Sequence, residues 1–496
     1  MLLIRLVAGA IFVHEALYLC RDGRGYLTRS FLPILGLRLP GRAQASLHLA
    51  LMGVCLGLVA APWVTILLPL GLLVLTLVIA SYPLRLSNHL IVAWFMLAFL
   101  TLAVVRDPRG QESWAFAWVG IQGVVVLVYF FSFFHKLNRD FLSAHRSCAA
   151  QLSDFFCWDR GIRSPALAGA LRHFAIYGTL LVEGALGILL LVPATRHLGL
   201  LIALGFHFAL ALQGIVNFSA VMYAGLVAFL PIDAPGPAGE LVFSLHGNLF
   251  ALTLLLTLAL VWSVTPRRAS RHCPYVQRKP AWVIQFLFGA LTAWLLLLFH
   301  VYGARPRAAV GPGWRDLDSP DLAIVAVLLG LFFLNGAGPY LGYKTEFSMA
   351  MFSNLRHEPW THLLFPSSWR LFHPRYWSVQ EVRGLPDPAD LDGDGDALLA
   401  HQLLLKPRRL RFRAYFLDEA LRRFRELTGR TPLLRLRDPE GSPGLFPIGG
   451  DEGGAPPPRL DFLPLVLFPF VLPEDPDAPH SEQGSVVGEN RERQYF

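Results

Sequence analysis

Long apolar runs, most of them of membrane-crossing length, follow one another through the first 345 residues, and polar residues are confined to short islands between them. A helix needs about 20 mostly apolar residues to cross the hydrocarbon core of a bilayer. A soluble chain of this size would carry polar residues along every element, as the outward face of several water-facing domains. Charged residues make up only 16% of the chain, against about 25% in soluble domains, and the mean hydropathy is +0.47. These constraints predict an all-α polytopic membrane bundle.

Spans are expected near 1–20, 88–105, 114–134, 170–192, 198–213, 218–231, 243–263, 281–301 and 321–343. The stretch 45–80 is too long for one helix and divides at Ala61-Pro62-Trp63, giving about ten or eleven helices in all. The first run lacks an A-x-A cleavage pattern and holds His14-Glu15, so it reads as a true span and not a removable signal peptide. Between the spans, 135–165 is semi-polar. After about 345 the composition changes: Arg409–Arg413 alternates basic and apolar residues, Ala414–Leu427 has a helical pattern, and Leu433–Arg437 reads as a strand. This predicts a small extramembrane α+β domain over 346–472, with a disordered tail over 473–496. No repeat of fixed period is evident.

The formal net charge is +8, yet its arginines do not form a phosphate-reading patch. They sit in connections, such as Arg21, Arg24, Arg29, Arg38 and Arg42 in one and Arg267, Arg268, Arg271 and Arg278 in another. Loop arginines that set membrane topology account for the balance, and nucleic acid is not an expected partner. Alternating the spans puts 21–44, 135–168, 264–280 and the C-terminal region on one side, which the positive-inside rule assigns to the cytoplasm, although the arginines of 303–320 pull the other way. The five cysteines show neither a zinc spacing nor a disulfide framework, and Cys148 and Cys157 read as free thiols. Asp390–Asp396 begins like a calcium loop, but His401 stands where the closing glutamate belongs, so an acidic turn is expected and no metal site.

Polar groups inside spans are costly, and each is a candidate for function. They are His14-Glu15, Asn88-His89, His135-Lys136, Glu183, His207, Gln213 and Asn217. For each, the simpler reading is a partner that holds helices together. Lys136 stands apart because the chain has only four lysines, the others being Lys279, Lys344 and Lys406. Arginine stays protonated in proteins, whereas a desolvated lysine can become a base. A lysine snorkelling to the membrane surface is the alternative.

Tyr129-Phe130 followed by Lys136-Leu137-Asn138-Arg139-Asp140-Phe141 resembles the signature of the vitamin K-dependent γ-carboxylases and their bacterial relatives, the horizontally transferred transmembrane (HTTM) domain family. Asn88-His89 is similar to that family's Asn-His pair, Phe206-His207 with Gln213 and Phe218–Tyr223 to its later Phe-His motif, and Leu191–Gly199 to its Thr-Arg turn. Asn335-Gly336, Pro339–Gly342 and the stretch to Arg356 resemble the junction into the extramembrane domain of bacterial members. Departures are Ser132-Phe133 in place of Ala-Gly, Phe141 in place of Trp and Ala144 in place of Gly.

The resemblance covers 1–265, with additional transmembrane helices over 266–345. It implies a multi-pass protein of the bacterial cytoplasmic membrane. Its catalytic set is Lys136, His89 and His207, with Asn88, Tyr129 and His135 at the cofactor, vitamin K hydroquinone or another membrane quinol. In the implied chemistry, neutral Lys136 deprotonates the quinol while His89 and His207 orient it. Oxygen then adds, and the strong base so formed attacks a carbon acid or peptide substrate that captures CO2. The alternative on the same scaffold is a non-catalytic binder or carrier of quinone or lipid.

Overall fold

The computed structural model describes residues 1–22, 39–81, 88–106, 114–159, 161–213, 215–230, 280–303, 314, 317–342, 353–355, 360–371 and 425, together with five short strands after 376. The expected span at 243–263, the acidic turn at 390–396, the helical pattern at 414–427 (Arg425 apart) and the tail from 474 lie outside the described residues.

Twelve α-helices are described. They are α1 (Leu2–Asp22), α2 (Gly41–Ala60), α3 (Leu67–Ser81), α4 (Asn88–Arg106), α5 (Trp114–Lys136), α6 (Arg139–Leu142), α7 (Cys148–Asp159), α8 (Pro165–Leu191), α9 (Arg196–Leu212), α10 (Val216–Leu226), α11 (Pro280–Gly303) and α12 (Ser319–Leu341). Six of these, α1, α2, α4, α5, α8 and α12, are long and apolar enough to cross a membrane, and α3, α9, α10 and part of α11 are shorter apolar helices. The chain is therefore read as a multi-pass integral membrane protein. The expected break at 61–63 is a two-turn link over 61–66, and the semi-polar stretch folds as the short helices α6 and α7.

Pairings between helices fix their directions. Gly9 faces Val59 while Glu15 bonds His48, so α1 and α2 are antiparallel. Phe99 packs on Phe116 and Lys136 bonds Glu183, which sets α4 against α5 and α5 against α8 in the same sense. α12 instead runs parallel to α5, because Gly123 meets Leu329 near one end and His135 meets Gly336 near the other. The end of α1, the start of α2, the end of α5, α6, α7 and the end of α12 thus share one end of the bundle, here called the Lys136 end. The turn between α8 and α9 lies towards the opposite end.

α5 is the central helix, packing against α4, α8, α10 and α12. Glycines let it approach its neighbours closely: a Cβ at Gly120 would run into the Phe99 ring, and one at Gly336 of α12 into the Phe131 ring. Membrane helices lack a hydrophobic drive to associate, so such close packing carries much of the cohesion. At the far end Arg106 pairs with Asp321, in the first turn of α12, and Asp318 caps that helix by accepting from Asp321 N at 2.7 Å.

Residues 353–355 and 360–371 pack at the Lys136 end. Asn138 donates to His135 O at 2.7 Å and to Ser353 O at 2.6 Å, and its own oxygen caps α6 by accepting from Phe141 N at 2.8 Å. Asn354, the one non-glycine at positive φ among the described residues (58°), accepts from Cys148 N at 2.9 Å and donates to Arg146 O at 2.8 Å. Asparagine tolerates that conformation better than most residues. Further on, Leu433–Arg437 is a strand, pairing antiparallel with Trp377–Arg383; together with Leu410–Phe412, Pro443–Gly444 and Val471–Pro473 these form a five-stranded sheet.

His362 reports on this latch. Its Nε2 donates to Phe134 O at 2.9 Å, and its Nδ1 accepts from Leu364 N at 3.2 Å and Phe365 N at 3.0 Å. Burial holds its pKa below the ordinary histidine value, partly offset by the Phe134 carbonyl. A base whose folded pKa is lowered stabilises fully above its unfolded value, and that stability is lost as pH falls through the folded value. Protection of the Leu364 and Phe365 amides, taken relative to their intrinsic exchange at each pH, is therefore predicted to fall as pH drops below about 6.5. His362→Gln should flatten that dependence, measured by hydrogen–deuterium exchange. Separately, Gly120→Ala should lower the thermal midpoint in detergent, with a cost of about 1–3 kcal/mol for overpacking.

Candidate functional site

α5 places its chemistry on one stripe. Tyr129, Ser132 and Lys136 recur at three- and four-residue spacing, which stacks them on one helix face. A long helical side chain leans towards the helix N-terminus, and Lys136 does so, donating back to Ser132 O at 3.3 Å. Its other two bonds go to Glu183 of α8, at 2.9 Å to Oε1 and 2.7 Å to Oε2. Both residues are almost fully enclosed, at 4% and 5% exposure. Phe141 lies under the ammonium, 5.8 Å from Nζ to its ring centre. Nearby, burial pushes the Cys148 thiol up to about 12, so it stays protonated and is not a ready nucleophile.

This geometry gives each of the three Lys136 donors an acceptor, two of them the carboxyl oxygens of Glu183.

About two turns back along α5 from Lys136, Tyr129 Oη meets His207 Nε2 of α9 at 2.8 Å. His207 is fully buried and edged by Phe206, Phe218 and Tyr223, while its Nδ1 finds no partner among the described residues. Ser219 donates to His207 O at 2.9 Å, and Tyr223 donates to Leu204 O at 3.1 Å and sits 3.0 Å from Thr292 Oγ1 of α11.

His89 belongs to a separate group. It sits on α4 and bonds His14 of α1, 2.6 Å between Nε2 and Nδ1. The next residue on α1, Glu15, meets His48 Nδ1 at 2.7 Å, and Gln44 lies 3.1 Å from His48 Nε2. All five side chains are buried. A glutamate–histidine contact with a glutamine behind it gives a buried carboxyl group a hydrogen-bond partner inside the bundle.

The expected residues therefore fall into three settings. Lys136, Tyr129 and His207 share one track. His89 pairs with His14, in another group. His135 Nε2 donates to Gly336 O at 3.0 Å and its ring stacks on Tyr340, so it joins α5 to α12. Asn88 opens α4 next to His89. Glu183 is the partner that a site set built on Lys136 omits, although it is the only acidic residue of its span. Gln44 and His48 are also missing from that set, and nothing in their spacing marks them out.

No family model, no curated protein and no solved structure matches the chain. Among the described residues no cluster of histidine, cysteine and carboxylate is arranged to hold a metal ion.

Removing one partner of the buried pair strands the other charge. Lys136→Met or Glu183→Leu alone is predicted to destabilise by about 3–5 kcal/mol, with the double variant recovering much of that loss. Thermal unfolding in detergent, run as a double-mutant cycle, measures it.

Proposed function

We propose that this multi-pass membrane protein binds a lipid-soluble hydroquinone, of the vitamin K type or a related membrane quinol, and exchanges a proton with it at the Lys136–Glu183 pair. The observation that carries the reading is a lysine–glutamate pair enclosed in a membrane bundle, with Tyr129 on the same face of α5 bonded to an aromatic-walled histidine. Glu183 accepts the phenolic proton. Lys136 holds the oxygen anion that remains, so the transfer needs no net charge to appear in lipid. Tyr129 and His207 hold the ring by hydrogen bonding. His89 acts outside this contact, through α4 and α1. When bound, the quinol supplies the reducing, oxygen-reactive chemistry, and the further substrate is a carbon acid or peptide that takes up CO2.

This reading rests on the resemblance to the γ-carboxylase and HTTM domain family, with about ten spans, a small C-terminal α+β domain and a place in the bacterial cytoplasmic membrane. One observation favours the second reading, a quinone or lipid binder without turnover: every ammonium proton of Lys136 already has an acceptor, so the pair is complete without a substrate.

Membranes containing the protein, supplied with vitamin K hydroquinone, distinguish the two. Epoxide formation is expected in the wild type, falling by about 100-fold or more in Glu183→Gln and Lys136→Ala. Turnover that survives both substitutions undiminished would sink the proton-exchange role, and quinone that co-purifies without turnover would establish the binder.

A further inference from the structure

A groove of about 440 Å³ opens towards the other end of the bundle, where α5, the end of α8, the start of α9 and α12 meet. Gly123, Val126, Leu127, Gly330 and Phe333 supply its apolar walls, and Arg196 is the only charged residue among the described ones that line it. The groove is separate from the Lys136–Glu183 pair, which lies two or more turns further along α5.

Its surroundings identify the solvent it faces. Leu191 and Phe333 are exposed on the flank of membrane-crossing helices, so hydrocarbon covers this side. The link between α8 and α9 is not helical. Irregular backbone is not tolerated against lipid within the hydrocarbon core, which places that turn, and Arg196 beside it, at headgroup level. Trp314 lines the same groove and is 41% exposed, and tryptophan too favours that level.

Arg196 is held but not consumed. Its Nε donates to Leu190 O at 3.1 Å and its guanidinium rests 5.9 Å from the Phe229 ring centre. Its outer nitrogens make no hydrogen bond among the described residues. Five donors in a planar fork suit a phosphate, and one bond leaves the outer donors available.

We propose that this groove binds an anionic phospholipid, with one acyl chain lying along Gly123, Leu127 and Gly330 and the phosphate on Arg196. A single arginine at the interface contributes about 1 kcal/mol towards an anionic headgroup, which corresponds to roughly fivefold selectivity.

Gly330 gives a clean probe, since a Cβ there would meet nothing within 4 Å. Gly330→Phe should fill the groove without displacing packed neighbours. The experiment reconstitutes the full chain in mixed phosphatidylcholine and phosphatidylglycerol, extracts it gently and counts retained lipids by native mass spectrometry. Wild type and Gly330→Ala are expected to retain phosphatidylglycerol about fivefold over phosphatidylcholine. Arg196→Gln should lose the preference, Arg196→Lys should keep most of it, and Gly330→Phe should lose the retained lipid itself. Retention unchanged in Gly330→Phe, or a preference unchanged in Arg196→Gln, would overturn the proposal. So would a wild type that retains both lipids equally. Gel filtration of each variant separates loss of lipid from loss of fold.

Discussion

An ionised side chain inside a bilayer must find its counter-charge within the protein, and the bundle is arranged around that requirement. Lys136 and Glu183 satisfy it across α5 and α8, 2.7 Å apart. Glu15 and His48 hydrogen-bond across α1 and α2, also at 2.7 Å, and Arg106 with Asp321 ties α4 to α12. Each pairing joins two helices, so the same contacts that neutralise charge set which helices are neighbours. Glycines then let α5 approach α4, α8, α10 and α12 closely enough for the pairing to occur.

The Lys136 end combines these constraints with a polypeptide latch. Asn138, Asn354 and His362 are short polar side chains that bond to backbone from distant parts of the sequence. They bind the stretch after α12 to the stretch after α5, and Asn138 stands only two residues beyond the lysine. The position of the ammonium therefore depends on residues more than 200 positions away in sequence. Phe141, delivered by α6, closes the pocket under it.

Much of this was legible in the amino-acid sequence. Apolar run length marked the spans of α1, α4, α5, α8 and α12, because crossing hydrocarbon leaves few alternatives. The polar interruptions marked His14, Glu15, His89, Lys136, Glu183 and His207, since a polar group in lipid has to do something. Pairing was harder to read. A one-dimensional pattern lists charges without saying which helix faces which, so it gives no sign that Glu183 stands against Lys136 or that His14 stands against His89. Gln44, His48 and Asn138 act through tertiary contacts that have no local signature.

If the pair exchanges a proton with a bound hydroquinone, the proton must reach Glu183. Infrared difference spectra, taken on adding vitamin K hydroquinone to the protein in lipid, measure that directly. The account predicts a protonated-carboxyl band that appears in the wild type and is absent in Glu183→Gln. A hydroquinone that binds while the Glu183 carboxylate signal stays unchanged would contradict it.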